Sequence, residues 1–329
     1  MKIKSFMCVG VIFCAAVWTE FFINPSFKTL FTPPNISPER EAMIKQYSMV
    51  PREEMEKDPA LMTELKERYK QYMISMNKKV SATGAKFVVM YMTPEVGDNM
   101  TSVQRMGKSF LMNTCKEIGA NFIDVTKTIA APTAPKGITN WPKDGHFSKI
   151  GAKMIADELE KIVPHYVAHK ATTTYSKRPD QFGDQTPNLN TTLDGGKNLP
   201  YKFRVNKQGL RQNRDVVFPK TKSRILFMGD SGFFFPFVDN NDMAHEILQS
   251  KFPNVDFANA CNWAYAIDDY ITLWDERAKF VEPDVVIMQT SGSDIMDMYF
   301  TNRNRFTRNQ YAHQPSALEK AYYERTYKK

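Results

Sequence analysis

The feature that most constrains this chain is a set of short, almost wholly apolar runs separated by helical patterns. AKFVVMYMTP (residues 85–94) stays apolar on successive positions and stops at Pro94. A strand covered on both faces reads this way, whereas a half-exposed strand would alternate. ANFIDVT, SRILFMGDS, NVDFANA and PDVVIMQTSGSD supply further strands. Helices are predicted between them over Asp58–Ser81, Ser102–Ile118, Ser148–Ile162, Asp242–Ser250 and Ile267–Phe280. In the first of these, Leu61, Leu65, Tyr69, Tyr72 and Met73 recur at helical spacing, and Gly84 closes it. Strands alternating with helices throughout predict an α/β chain of parallel βαβ units in a three-layer sandwich.

Bulk properties exclude several classes. With 42% hydrophobic and 24% charged residues over 329 positions, the chain is an ordinary globular protein with a sizeable core. Its net charge of +8 is spread over separate segments, at Lys86, Lys127, Lys143, Lys149 and Arg211 among others. A nucleic-acid surface would need a clustered basic face with interleaved aromatics, so no nucleic-acid partner is expected. Lys2 and Lys4 precede an apolar run from Phe6 to Trp18, the layout of an export signal. That run is shorter than the roughly 20 residues of a membrane span. Extending it to Ile23 lengthens it across Glu20, so a cleaved signal and a membrane anchor over residues 5–23 both fit. Either one implies an exported, periplasmic or otherwise extracytoplasmic protein. Cys8 and Cys14 lie in that run, leaving Cys115 and Cys261 as isolated thiols with no metal-site spacing.

Residues 24–54, rich in proline, read as a stalk, and residues 55–329 as one catalytic domain. A polar stretch over 167–200 reads as a surface linker dividing that domain into 55–166 and 201–329. Each part carries one short motif. Gly229-Asp230-Ser231 follows an apolar strand, and Asp144-Gly145-His146 precedes a helix 85 residues earlier. A serine hydroxyl is a weak nucleophile alone. An imidazole that removes its proton, held in the right tautomer by a carboxylate, makes it competent for acyl chemistry. A turn after a strand exposes Ser231 at the carboxyl edge of the sheet, where open α/β sheets bind ligands. Asp144 and His146 reach the same edge from their loop.

On these residues the chain resembles the SGNH (GDSL-like) hydrolases. YKFRVNKQGLR…KSRILFMGDSG, FANACNWAYAIDDY and PDVVIMQTSGSD resemble that domain's first half. GAKFVVMYMTP…GANFIDVT…DGHFSKIGAKMIADEL resembles its second. The halves stand in reversed order, a circular permutation similar to the alginate O-acetyltransferase group, which acetylates bacterial exopolysaccharides. The resemblance implies a five-stranded parallel sheet, Ser231 as nucleophile, His146 as base and Asp144 as its orienting partner. It also implies a polysaccharide acceptor, a membrane-bound O-acyltransferase partner as acyl donor, and neither metal nor organic cofactor. A plain carbohydrate esterase and a non-catalytic glycan-binding protein are the alternatives. Two blocks depart from the family pattern. Asn259-Ala260-Cys261-Asn262 lacks the glycines after its asparagine, and Ser291-Gly292-Ser293-Asp294 has Ser293 where the family has asparagine. The oxyanion candidates are therefore the Ser231 and Cys261 backbone N–H groups and the side chains of Asn262 and Ser293.

Other residues carry weaker expectations. Trp141 and Phe147 flank the Asp/His pair as candidates to stack on a sugar. Phe233, Phe234, Phe235 and Phe237 are expected to pack in the core, and His245 to sit at the surface or pack. His165, His169, His313, Arg211 and Arg224 are expected in solvent, and a helix over Ala317–Tyr327 is expected to close the fold.

Overall fold

The structure is a computed structural model that describes residues 57–94, 102–129, 134–194, 198–263, 265–292 and 294–297. The N-terminal segment 1–23, the stalk 24–54, Ser293, His313 and the Ala317–Tyr327 segment lie outside the described residues. Among the described residues no helix is long and apolar enough to cross a membrane.

Five strands form one all-parallel sheet: β1 (Lys86–Tyr91), β2 (Asn121–Asp124), β5 (Ser223–Met228), β6 (Val255–Asn259) and β7 (Val285–Thr290), in the order β2-β1-β7-β5-β6. Counted from β5, the chain visits the sheet in the doubly wound order 2-1-3-4-5. The expected three-layer sandwich is therefore present, and its halves are permuted along the sequence.

The strands pack on both faces, as their continuous apolar character predicted. Phe87, Val89, Tyr91, Leu226, Met228, Val286 and Met288 bury on one side. That side is covered by α1 (Pro59–Ser81), α2 (Ser102–Ile118) and α7 (Ile267–Glu276). Val88, Met90, Ile225, Phe227, Val285 and Ile287 bury on the other. Here α3 (Thr126–Ile129), α4 (Lys149–Ile162) and α6 (Ala244–Lys251) form the cover. Helix α1 starts where Asp58 accepts from the Leu61 N–H at 3.1 Å, and Pro59 occupies its first turn, where its missing N–H is harmless. Its buried side is Leu61, Leu65, Tyr69, Met73, Met76 and Val80.

Three expectations change. The predicted helix Asp242–Ser250 begins with a 3₁₀ turn, Asn240–Asp242, and becomes α-helical only from Ala244. The predicted helix to Phe280 ends at Glu276, with a 3₁₀ turn over Ala278–Val281 and Glu282 left-handed at φ 56°. The segment 167–200 is not simply a surface linker. It buries Phe182, Gln185 and Leu193 and forms β3 (Asn190–Leu193), paired antiparallel with β4 (Tyr201–Arg204). Its polar backbone is satisfied by carboxylates far along the chain: Ala171 N–H donates to Asp284 and Tyr175 N–H to Glu282, both at 2.8 Å. Arg178 pairs with the same Glu282.

Candidate active site

Strand β5 ends at Met228, and the chain turns through Gly229 and Asp230 into a single helical turn, α5 (Ser231–Phe234). Asp230 caps that turn by accepting from Gly232 N–H at 2.7 Å. Its own N–H donates to Gln289 Oε1 at 3.0 Å, tying the turn to the end of β7. Gln289 approaches so closely that a Cβ on Gly229 would stand 2.6 Å from Oε1, and one on Gly232 2.9 Å from Nε2. Ser231 thus sits over the crevice between β5 and β7, where the strand order switches direction.

Asp144 and His146 come from a loop folded back on itself. Asn140 N–H donates to His146 C=O at 2.9 Å, and Asp144 N–H donates to Asn140 C=O at 3.2 Å. The Asn140 side-chain amide reaches the His146 and Phe147 carbonyls at 3.4 and 3.3 Å. Ser148 then caps α4, accepting from Ile150 and Gly151 N–H groups. The side chain of His146 is 23% exposed and that of Asp144 only 1%.

The three side chains meet. Asp144 Oδ1 accepts from His146 Nδ1 at 2.6 Å and from the His146 backbone N–H at 2.8 Å. An ionised carboxylate only accepts, so Nδ1 carries the hydrogen and Nε2 is left with its lone pair. Nε2 lies 2.9 Å from Ser231 Oγ and can accept the hydroxyl proton. Rings frame the imidazole: Trp263 lies edge-on at 5.5 Å and Phe237 tilts at 6.4 Å, centroid to centroid.

The proposed oxyanion donors fare differently. The Cys261 N–H is not available, because it donates to Asn259 Oδ1 at 3.0 Å. The other end of the Asn259 amide, Nδ2, lies 3.3 Å from His245 Nδ1. Asn262 is buried, and its Oδ1 accepts from Gln185 Nε2 at 2.6 Å and Trp263 N–H at 2.9 Å. A backbone N–H can only donate, which fixes that atom as oxygen. Asn262 Nδ2 is buried and makes no well-aligned hydrogen bond, with the Tyr265 hydroxyl beside it as its nearest acceptor. The Ser231 N–H is the first of its helical turn, where no carbonyl of the helix can reach it.

Trp141 is 56% exposed on the same loop as His146, placing it at the surface beside the triad. Phe147 is not a surface ring: it is 1% exposed and packs under the loop against Phe235, so it cannot stack on a sugar. Phe233, Phe234 and Phe235 are core residues as expected, while Phe237 is partly buried against His146. Arg211 and Arg224 overturn the solvent expectation. Arg224 is buried, donating to the Val281 and Val217 carbonyls and pairing with Asp256 at 3.1 Å. Arg211 is wholly buried, and desolvation brings its guanidinium down to about 10, still charged at neutral pH. His169 Nε2–H donates to Gly84 C=O at 2.7 Å and is not simply solvated; His165 is exposed. His245 is fully buried, and desolvation lowers it to about 3, so it stays neutral.

Cys115 and Cys261 are free and buried, and burial pushes the Cys115 thiol up to about 12 and the Cys261 thiol well above its ordinary value. Both thiols therefore stay protonated and are poor nucleophiles. Among the described residues no group of three or more His, Cys, Asp or Glu could hold a metal ion. Gln289 and Gln185 support the site without having been singled out in the sequence. Gln289 had one signal, a polar residue closing a buried apolar strand; Gln185 had none.

No protein-family model matches the chain, and no curated protein does. Among solved structures, the O-acetyltransferase domain of Pseudomonas putida AlgJ is similar at 13% identity and a TM-score of 0.46, over 73% of this chain and 86% of that one. Pseudomonas aeruginosa AlgX is similar at 12% identity and a TM-score of 0.39, over 75% of this chain and 62% of that one. Bacillus cereus PatB1 is similar at 11% identity and a TM-score of 0.39, over 70% and 90%. The fold rests on this chain's own strand order and crossovers.

Proposed function

We propose that this protein is an exported O-acyltransferase, of the acetyl type, that modifies a polysaccharide through an acyl-enzyme on Ser231. The observation that carries the reading is the hydrogen-bonded line from Asp144 Oδ1 through His146 to Ser231 Oγ, at 2.6 and 2.9 Å. In the first step His146 Nε2 takes the Ser231 proton as Oγ attacks the donor's acyl carbon. The tetrahedral oxyanion forms near the Ser231 N–H, and His146 returns the proton to the departing group. In the second step His146 takes the proton of a sugar hydroxyl as that oxygen attacks the acyl carbon, then gives it to the departing Ser231 Oγ, restoring both residues. Asp144 holds the imidazole and balances the imidazolium in both steps.

A membrane-bound O-acyltransferase supplies the acyl group, and the exposed Trp141 offers a ring on which the acceptor stacks. A carbohydrate esterase would use the same three residues with water as second nucleophile. The partial exposure of His146, which leaves water access to the base, favours keeping that reading beside the first.

Incubating the purified protein with p-nitrophenyl acetate and quenching for intact mass tests the chemistry. Ser231 should gain one acetyl group, and Ser231→Ala should gain none. Added oligosaccharides should then become acetylated faster than acetate is released. Release to water alone would establish the esterase instead, and a wild-type protein that neither gains acetyl nor releases nitrophenol would overturn both.

A further inference from the structure

We infer that Arg211 is a positioning residue for the nucleophile, holding through three backbone carbonyls the turn that keeps Ser231 Oγ against His146; this rests on the function proposed above. Its Nη1 donates to Phe234 C=O and, at 3.0 Å, to Phe235 C=O, while Nη2 donates to Val238 C=O at 2.7 Å. The first two carbonyls end the turn that begins at Ser231, and the third lies in the next turn, where Val238 N–H donates to Phe235 C=O at 3.3 Å. Phe235 N–H closes the first turn on Ser231 C=O at 3.2 Å.

The turn needs a clamp. Phe235 and Phe237 both hold left-handed backbone, at φ 53° and 63°, which bulky residues adopt only when their surroundings impose it. A single helical turn also leaves its final carbonyls without internal partners. The guanidinium fork supplies donors to those carbonyls in one rigid plane, which a flexible ammonium matches poorly. Phe237, carried by the next turn, reaches the His146 ring, so the clamp sets both partners of the Ser–His contact.

Burying this cation is otherwise hard to explain. Among the described residues no carboxylate lies within ion-pair distance of Arg211, whose only carboxylate support is the longer-range attraction of Asp239, and its Nε has no hydrogen-bond partner. A buried unpaired charge is strongly unfavourable unless its surroundings are built for it. They are: the guanidinium lies 4.6–5.3 Å from the ring centroids of Phe234, Phe203 and Tyr201. A turn built for the purpose delivers it there. Asn206 Oδ1 accepts from the N–H groups of Gln208 and Leu210, both at 3.0 Å, and Gly209 sits between them at φ 75°.

The test follows Ser231 directly in the full-length protein. The rate of Ser231 labelling by phenylmethanesulfonyl fluoride is read by intact mass. Kinetics with p-nitrophenyl acetate are measured on the same wild-type, Arg211→Lys and Arg211→Ala samples, with circular dichroism reporting the folded fraction. In samples that remain folded, labelling and kcat should fall about ten- to a hundredfold, as sub-ångström to ångström misplacement does, with KM within about twofold. Ethylguanidinium should restore part of the alanine variant's rate, and ethylammonium should not. If the alanine variant does not fold, the lysine variant decides, since its charge is retained and only the fork is lost. A folded Arg211 variant that reacts at the wild-type rate sinks the positioning role alone. A wild type inert in both assays sinks it together with the proposed function.

Discussion

One oxygen of Asp144 takes both the ring N–H and the backbone N–H of His146. That convergence separates two things a catalytic carboxylate does. An amide oxygen in the same place still accepts both hydrogens, so Asp144→Asn should retain the imidazole's tautomer while losing the charge that balances the imidazolium. The expected result is a folded protein whose Ser231 acetylation slows by on the order of a hundred- to ten-thousandfold. Stopped-flow measurement of p-nitrophenol release checks it. An unchanged rate would mean that Asp144 only shapes the loop.

At the scale of elements, the strand-to-helix turn at β5 is built around close approach. Gly229→Ala would set a methyl 2.6 Å from Gln289 Oε1 and 3.3 Å from Cys261 Sγ. Gln289 must then move and release the Asp230 N–H. Overpacking of this kind destabilises by about 1–3 kcal/mol. We expect that loss in urea unfolding, together with slower Ser231 labelling, and partial recovery of stability in Gly229→Ala/Gln289→Ala. A variant as stable as wild type would show that the turn has slack. Helix and strand positions were legible in the sequence because caps and apolar runs are local signals; Asp58, Ser148 and the run at 285–288 sit where they were expected. That Asp144, His146 and Ser231 would meet was legible because each stands in a short motif placed beside a helix or at the end of a strand. The strap over 167–194 was not, since its polar residues look solvated until Glu282 and Asp284 arrive from more than a hundred positions away. Arg211 failed for a related reason: a charged residue inside an aromatic cage leaves no mark in composition or periodicity.

For the whole molecule, the buried neutral His245 ties stability to pH. Unfolded imidazole takes a proton below about 6.5, whereas the folded one resists until about 3. Its contribution is complete above pH 6.5 and is lost as pH falls through that window, by roughly 2–3 kcal/mol between pH 6.5 and 4.5. Urea unfolding at pH 7 and 4.5 should show wild type losing that much more than His245→Gln, whatever the variant's stability at pH 7. Equal losses in the two proteins would refute it.

The strand order has a temporal side. The central strand, β7, is the last of the five to be made, and it joins β1 on one flank to β5 on the other. A chain synthesised from its N-terminus holds the imidazole and carboxylate early, then the hydroxyl, with α6 packing on α4 but no strand yet joining the two parts of the sheet. Only when the final strand enters the middle does the sheet become continuous. Folding of so non-local a sheet is intrinsically slow. On the proposed function, a chain that stops between Ser231 and β7 carries all three side chains of the site in a sheet that lacks its central strand.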